Sequence, residues 1–174
     1  MHKVNEEEFV VLVDANDNKV GLMEKMEAHR KGVLHRAFSV FIFNSKGEFL
    51  LQRRAIEKYH SGGLWTNSCC SHPRDNESVL NAGKRRLMEE MGFACEIKEQ
   101  FTFIYNRKLD NELTEHELDH VLFGTYEGEI KFNPAEVMEY KYVDLTTLSL
   151  DIETNPMNYT EWFKICFEEV KSRL

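Results

Sequence analysis

Short apolar runs separated by turn-forming residues fill the first half of the chain. The stretch EFVVLV at residues 8–13 is rich in β-branched residues, which indicates a strand, and the turn-forming DANDN follows it. Two further runs, His35–Phe43 and Glu48–Arg53, flank the turn sequence Asn44–Gly47, which is typical of a β-hairpin. The pattern therefore predicts a β-rich first half.

A helical spacing replaces the strand pattern between Glu77 and Met91. Leu80, Leu87 and Met91 fall on one stripe of that helix, and Gly92 follows as a C-terminal stop signal. We expect this helix to be the main helix of the chain's centre.

The remainder of the chain predicts more strands and a closing helix. A second hairpin is expected from Gln100–Arg107 and Glu115–Tyr126, turning at residues 109–112, and Met138–Asp144 is a further candidate strand. Helical spacing predicts a last helix at Tyr159–Leu174, with its apolar positions at Phe163, Phe167, Val170 and Leu174. This order predicts an α+β fold with a mixed β-sheet. No repeat or linker divides the sequence, so we expect a single domain over residues 1–174.

Composition excludes several classes of protein. The chain has 174 residues, 42% of them apolar, which is enough for one core. A net charge of −8 disfavours nucleic acid and membrane surfaces as partners. The N-terminal sequence lacks the apolar region of a signal peptide, and the four cysteines show no framework spacing, so we expect a cytoplasmic protein with reduced thiols. A monomer is the default expectation, and the Ser-Arg-Leu terminus resembles a peroxisomal signal only by chance.

The stretch TNSCCSHP at residues 66–73 raises the question of metal, redox or nucleophilic chemistry. Adjacent cysteines are a poor disulfide pair, because neighbouring Cα atoms lie about 3.8 Å apart while disulfides need roughly 4.4 to 6.8 Å. A zinc knuckle would need a second half that the chain lacks. In an extended segment Cys70 and His72 share one face and Cys69 points to the other. Any thiol chemistry beside His72 would therefore use Cys70.

Acidic residues alternate in the segment around TEHELDH. Alternation places Glu115 and Glu117 on one face of a strand, and Asp119 follows on the same face. A solvated acidic face is the simplest interpretation of this pattern alone. The seven histidines are scattered along the chain, so spacing by itself does not define a metal site.

The helical stretch SHPRDNESVLNAGKRRLMEEMGF, which begins at Ser71, resembles the Nudix box, a glycine-led motif whose helix carries clustered glutamates that bind divalent metal. The matching positions are Glu77, Arg85, Leu87, Glu89, Glu90, Gly92 and Phe93. Carboxylates on such a helix can hold Mg²⁺ or Mn²⁺ against a diphosphate. The alternative is a surface helix with charge pairs such as Arg85–Glu89 or Arg86–Glu90.

Two departures from the box point to one branch of the superfamily. Ser71 stands where glycine is usual, and Arg86 replaces the first glutamate of the box, which argues against diphosphate hydrolysis. Four segments resemble the type 1 isopentenyl-diphosphate delta-isomerase family: LHRAFSVFIFN, WTNSCCSHP, GKRRLMEEMG and TEHELDHVLF. The resemblance covers roughly residues 8–165 and implies a Nudix-like mixed β-sheet flanked by helices.

The resemblance also implies a metal site. The family's ligand positions correspond to His29, His35, His72, Glu115 and Glu117. Imidazoles with carboxylates suit Mn²⁺ or Zn²⁺, with Mg²⁺ also possible. The rival ligands His116 and His120 face away from the two glutamates by alternation. A second ion, Mg²⁺ arriving with the substrate diphosphate, is implied near the carbonyl of Cys70 and the carboxylate of Glu90.

The remaining roles carried by the resemblance concern substrate and chemistry. The cations that hold the diphosphate correspond to Lys25, Arg54, Lys58 and Arg86. Cys70 and Glu117 correspond to the acid and base that move the double bond, Trp162 to a residue that stabilises a carbocation, and Tyr105 to one that orients the proton. By pattern alone Trp162 could be core. A Nudix hydrolase of another diphosphate and a non-catalytic binding module are the competing functions.

Overall fold

The computed structural model describes residues 9–174, which form one mixed sheet with helices on both faces. Its strands are β1 (Phe9–Val13), β2 (Lys19–Glu24), β3 (His35–Phe43), β4 (Phe49–Arg54), β5 (Trp65–Thr66), β6 (Cys69–Ser71), β7 (Ile97–Lys108), β8 (Thr114–Thr125) and β9 (Val137–Val143). Its helices are α1 (Lys25–Lys31), α2 (Val79–Met91), α3 (Leu145–Thr154) and α4 (Glu161–Lys171). The α+β expectation is therefore confirmed. No helix among the described residues is both long enough and apolar enough to cross a bilayer.

Strand β3 is the centre of the sheet. Along one edge it pairs in parallel with β8 over its whole length, from His35 opposite Glu117 to Phe43 opposite Thr125. Its other edge is shared by β1, β6 and β4 in turn, all antiparallel. The short strand β6 therefore lies across β3 from β8. This arrangement brings the TNSCCSHP stretch and the TEHELDH stretch to two sides of one strand.

Each face of the sheet is covered by its own helices, because residues of β3 alternate between two cores. Phe38, Val40 and Ile42 pack with Leu87 and Met91 of α2. On the opposite face, Phe41 packs with a cluster that α4 supplies, namely Trp162, Phe163, Cys166, Phe167 and Val170. The alternation of side chains along this extended strand thus decides which side chains reach which face.

Helix α2 carries the Nudix-box residues and has well-defined ends. The Ser78 side chain accepts a hydrogen bond from Asn81 N at the N-terminus. Gly92 ends the helix with a φ of 74°, and a Cβ there would lie 2.1 Å from the Lys131 carbonyl oxygen, so only glycine fits. The predicted stripe was wrong at Leu80, which is 39% exposed. Ala82 and Gly83 occupy the buried positions instead.

Other differences from the predicted elements have local causes. The short elements β2, α1 and α3 were not predicted, and β3 pairs with β4 only at Ile42 and Phe43 because β6 and β1 take the rest of that edge. The closing helix ends at Lys171, so Leu174 lies beyond it and is 61% exposed. The predicted first strand included Glu8, which lies outside the described residues.

Candidate active site

Four potential metal ligands converge from distant parts of the chain. His29 comes from α1, His35 begins β3, His72 follows β6, and Glu117 lies in β8. Their donor atoms all lie within 4.8 Å of one another. His35 and Glu117 are direct neighbours in the parallel β3–β8 pairing. Three imidazole nitrogens and one carboxylate oxygen are enough donors to bind a divalent cation.

Backbone hydrogen bonds fix the tautomers of two of these histidines. Nδ1 of His29 lies 2.7 Å from the Lys25 carbonyl oxygen, and Nδ1 of His35 lies 2.8 Å from that of Val33. A carbonyl only accepts, so Nδ1 carries the proton and Nε2 keeps a free lone pair. Both Nε2 atoms are buried without a well-formed hydrogen bond, and that of His35 lies 3.4 Å from Oε1 of Glu117. Buried lone pairs directed into a cluster with a carboxylate fit a metal ion well.

Protonation equilibria in the cluster also favour cation binding. Burial lowers the pKa of His72 to about 4, although Glu117 opposes the shift, and burial likewise lowers the pKa of His29. Burial acts to raise the pKa of Glu117, but the neighbouring His35 and His72 outweigh it and the pKa is well below its usual range. At neutral pH His29 and His72 are therefore neutral imidazoles, and Glu117 is an ionised carboxylate.

Tyr105 joins Glu117 to Glu115. The Tyr105 Oη atom lies 2.7 Å from Oε2 of Glu117 and 2.9 Å from Oε2 of Glu115. Burial and the charge of Glu117 raise the pKa of Glu115 well above its usual range. A phenol has one hydrogen, which it donates to the ionised Glu117. Glu115 lies outside the group of four donors, and it connects to that group through Tyr105.

The two adjacent cysteines occupy opposite faces of the sheet, as the alternation predicted. Cys69 is fully buried against α2, whereas Cys70 packs with the α4 cluster. The Cys70 thiol donates to Asn67 Oδ1 at 2.8 Å, and its Sγ lies 3.6 Å from Ser39 Oγ. Burial is the main reason that the pKa of the Cys70 thiol is raised. Cys70 is therefore a protonated thiol in this environment.

Cys70, Glu117 and Trp162 line one small cavity of about 40 Å³. Trp162 is only 4% exposed, so it belongs to the core and to the cavity wall at once. The guanidinium carbon of Arg54 lies 5.0 Å from the centre of the Trp162 ring. The indole face can therefore accommodate positive charge in this cavity.

A second cavity, of about 110 Å³, adjoins the first and is rich in cations. Lys25, Arg54, Lys58 and Arg86, the four cations identified in the sequence, all line it. Cys70, His72 and Arg54 line both cavities. The second cavity therefore offers an anion site directly beside the cavity that Cys70, Glu117 and Trp162 line.

Acidic partners hold some of these cations in place. Arg86 Nη2 lies 2.5 Å from Oε1 of Glu90, and Lys58 Nζ lies 2.5 Å from Oε2 of Glu136. Burial acts to lower the pKa of Arg86, but Glu90 outweighs it and the pKa is raised. The other Glu90 oxygen accepts from Gln52 at 2.8 Å. The predicted charge pair between Arg86 and Glu90 is thus present, and both residues line the cationic cavity.

Some cavity residues were not identified from sequence. Arg74 and Arg85 line the cationic cavity, and Tyr59 and His60 line one or both cavities. Tyr59 and His60 lie between β4 and β5, where no periodic pattern indicates which side chains face inward. Arg85 also pairs with Glu77, which precedes α2 and is eight residues away, so the helical charge spacing of three or four residues gave no signal for this pair.

The rival histidines lie away from the cluster. Nδ1 of His116 lies 3.0 Å from the Gly32 carbonyl oxygen, and His120 bridges Asp17 and Glu99 at 2.9 and 2.8 Å. Neither belongs to the group of four donors. The alternation argument for β8 therefore placed them correctly.

Comparison with known proteins agrees with this geometry. The NUDIX domain family model matches residues 33–163. The chain is 52% identical to isopentenyl-diphosphate delta-isomerase 2 of Aromatoleum aromaticum, over 95% of this chain and 88% of that protein. It is 51% identical to the isopentenyl-diphosphate delta-isomerase of Pectobacterium atrosepticum, over 92% of this chain and 90% of that protein.

Solved structures support the fold. The crystal structure of DR0079 from Deinococcus radiodurans superposes with a TM-score of 0.71 at 20% identity, covering 85% of this chain and 90% of that one. The MutT protein of Methanosarcina mazei superposes with a TM-score of 0.64 at 22% identity, covering 80% of this chain and 94% of that one. The Nudix fold predicted from sequence is confirmed. Sequence identity over nearly the whole chain shows that it belongs to the isopentenyl-diphosphate delta-isomerase family of the Nudix superfamily.

Proposed function

We propose that this isomerase interconverts isopentenyl and dimethylallyl diphosphate with Cys70 and Glu117 as its acid and base. The reaction adds a proton to the terminal alkene carbon, which gives a tertiary cation, and then removes a proton from the methylene carbon on the other side of that cation. The observation that carries the proposal is the placement of both groups, on strands either side of β3, in the wall of one cavity. Such a pair can exchange protons with the two faces of a flat substrate without its turning over.

Binding of the diphosphate in the cationic cavity would hold the hydrocarbon part in the smaller one. Lys25, Arg54, Lys58 and Arg86 are the proposed phosphate contacts, since all four line that cavity. Arginine offers paired donors to phosphate oxygens, and lysine adds a compact charge. Because Arg54 lines both cavities, it lies at the junction where the first phosphate would meet the isoprenoid chain.

Trp162 is the residue proposed to stabilise the intermediate tertiary cation, and Tyr105 is the one proposed to orient the proton. An aromatic face contributes about 0.5 to 2 kcal/mol to a nearby cation. The buried indole of Trp162 supplies that face on the cavity wall. Tyr105 holds Glu117 in position by its 2.7 Å hydrogen bond. Burial of these groups also excludes water, which would otherwise capture the cation.

The proposed metal ligands are His29, His35, His72, Glu115 and Glu117, with Mn²⁺, Zn²⁺ or Mg²⁺ as the ion. The buried Nε2 atoms of His29 and His35, which lack a well-formed hydrogen bond, support this assignment. A bound divalent ion would orient the Glu117 carboxylate and adjust its basicity. Cys70 and Glu90 both line the cationic cavity, so the Cys70 carbonyl and the Glu90 carboxylate would hold a second, substrate-borne Mg²⁺.

The decisive experiment incubates the protein with isopentenyl diphosphate and Mg²⁺. We expect an acid-labile allylic product and no release of phosphate. Phosphate release without an allylic product would instead indicate a Nudix hydrolase, and binding without either product would indicate a non-catalytic module.

A cytoplasmic location and a small-molecule substrate complete the proposal. The four cysteines have no disulfide partners in the described part of the chain, which supports a reducing compartment. The acidic net charge of −8 supports a partner other than nucleic acid or an anionic membrane. We propose a monomer of one domain over residues 1–174.

A further inference from the structure

A chain of buried hydrogen bonds runs from the start of α4 to the Cys70 thiol. Thr160 Oγ1 donates to Thr66 Oγ1 at 3.1 Å, Thr66 Oγ1 donates to Asn67 Oδ1 at 2.9 Å, and Cys70 donates to the same oxygen at 2.8 Å. Thr160, Thr66 and Asn67 are at most 2% exposed. Buried polar groups of this kind are costly unless every member is satisfied.

Donor and acceptor chemistry fixes the direction of every bond in the chain. The Asn67 amide nitrogen donates to the carbonyl oxygens of Val40 and Cys69, at 3.0 and 2.9 Å. Its two hydrogens are therefore used, and Oδ1 must face the hydroxyl of Thr66 and the thiol of Cys70. Each hydroxyl in turn has its one hydrogen committed toward Asn67.

The two ends of this chain support the two sides of the reaction cavity. Cys70 forms one wall, and Thr160 is the N-cap of the helix whose first turn carries Trp162 on another wall. Thr160 Oγ1 also accepts from Phe163 N at 3.3 Å, so the same hydroxyl sets the start of α4. The chain therefore connects the positions of the thiol and the indole.

We propose that Thr66 and Asn67 are positioning residues. They hold the Cys70 thiol and, through Thr160, the Trp162 indole in the positions that the reaction requires. The inference rests on the proposed roles of Cys70 and Trp162. Asn67 orients the Cys70 S–H bond by accepting its hydrogen bond. Thr66 links Asn67 to Thr160 at the start of α4. Neither residue is required to contact the substrate.

Thr66→Val tests the proposal because valine keeps the volume of threonine and removes only the hydroxyl. We expect kcat to fall by about tenfold with KM unchanged, since a small misplacement of reacting groups slows chemistry more than binding. Thr66→Ser should restore most of the rate by restoring the donor. Thr160→Val should also lower kcat, and the double variant with Thr66→Val should lose less than the product of the two single effects.

The matched control is Ser68→Ala. Ser68 is fully buried beside Asn67, but its hydroxyl bonds only to backbone, donating to Leu50 O at 2.6 Å and accepting from Ile42 N at 2.9 Å. We expect this variant to lower the melting temperature without changing kcat. Circular dichroism should show that all variants remain folded.

The outcomes separate this inference from the proposed function. An inactive Cys70→Ala protein combined with an unchanged kcat in Thr66→Val would overturn the positioning role alone. A fall in kcat that Thr66→Ser does not restore, or that Ser68→Ala matches, would overturn it as well. An active Cys70→Ala protein would instead contradict the proposed role of the thiol.

Discussion

Cys69 and Cys70 are adjacent in sequence, and their side chains lie on opposite faces of the sheet. Cys69 packs against Leu87 and Met91 beneath the box helix, while Cys70 packs with the cluster that contains Trp162. Because β6 is extended, the two thiols cannot exchange places without moving the strand. Only one of them can therefore serve chemistry in the cavity beside Glu117.

Replacing each cysteine by alanine should separate these two environments. Cys70→Ala is expected to lower kcat by about 10² to 10⁴, the usual contribution of a positioned acid or base. Cys69→Ala should keep most of the activity and lower stability by about 1 kcal/mol, because it removes one small buried group. Product formation from isopentenyl diphosphate and thermal unfolding would be measured for both. Equal losses of activity in the two variants would refute the proposal that only the thiol on the cavity face takes part in the reaction.

Metal removal should inactivate the protein in a way that depends on the histidine cluster. Treatment with a strong chelator is expected to abolish isomerisation, and added Mn²⁺, Zn²⁺ or Mg²⁺ should restore it. His29→Gln should lower the affinity for the metal by at least tenfold, because it removes a buried Nε2 ligand. Elemental analysis would show the resulting fall in bound metal.

His116→Gln is the matched control for metal binding, since its ring contacts the Gly32 carbonyl and lies outside the cluster. It should keep the metal content of the unmodified protein. Loss of metal in this variant, or full metal content in His29→Gln, would contradict the proposed ligand set.

Alternation along single strands could be predicted from sequence, and convergence between strands could not. The period of a strand assigned Cys70 and His72 to one face and turned His116 and His120 away from Glu117, and the structure agrees. Spacing holds no information about which segments meet, so the family resemblance was needed to group histidines from three elements.

The missed elements have a physical explanation as well. Helix α1 has only seven residues, too few for a reliable helical period, and it is defined by the Glu24 side chain, which accepts from Met26 N and Glu27 N. Strand β2 has no buried residue, so its sequence does not alternate between buried apolar and exposed polar positions. Such elements are set by tertiary contacts, and His29, which α1 carries, had no local signal.

Tyr105→Phe should reduce the rate without preventing binding. The variant loses the hydroxyl that donates to Glu117 at 2.7 Å and also contacts Glu115, so the carboxylate becomes less well oriented. We expect kcat to fall by roughly tenfold, the effect of losing one hydrogen bond of about 1 to 1.5 kcal/mol, with little change in KM. Tyr126→Phe, whose hydroxyl contacts only the Glu129 carbonyl, should leave kcat unchanged. An equal effect of both changes would show a general loss of packing.

The ion pair between Glu77 and Arg85 should make stability depend on pH. Arg85 donates to both oxygens of Glu77, at 2.8 and 2.9 Å, and this bonding holds the pKa of Glu77 below its ordinary value of 4.5. The contribution is therefore fully present above pH 4.5 and is lost as the pH falls through the lower folded-state pKa.

Glu77→Gln should accordingly lower the free energy of unfolding by roughly 1 to 2 kcal/mol at pH 7. The difference from the unmodified protein should shrink below pH 4.5 in urea unfolding experiments. The exposed Glu153→Gln is the matched control and should leave the free energy of unfolding at pH 7 unchanged. If the difference in free energy of unfolding between Glu77→Gln and the unmodified protein stays constant down to pH 3, the ion pair is not its cause.

Arg86 combines a structural role and a proposed substrate role, and a double variant can separate them. Arg86→Gln leaves the buried Glu90 carboxylate without its 2.5 Å partner, which should cost about 3 to 5 kcal/mol of stability. Adding Glu90→Gln removes that uncompensated charge and should recover most of the stability. If Arg86 also binds the diphosphate, KM should rise by about 10- to 100-fold in Arg86→Gln, because charged hydrogen bonds contribute about 1.5 to 3 kcal/mol. The double variant, which also lacks the proposed Mg²⁺ ligand Glu90, should not restore it. Lys84→Gln, on the exposed side of the same helix, should change neither quantity. Recovery of KM together with stability in the double variant would mean that Arg86 acts only as the structural partner of Glu90.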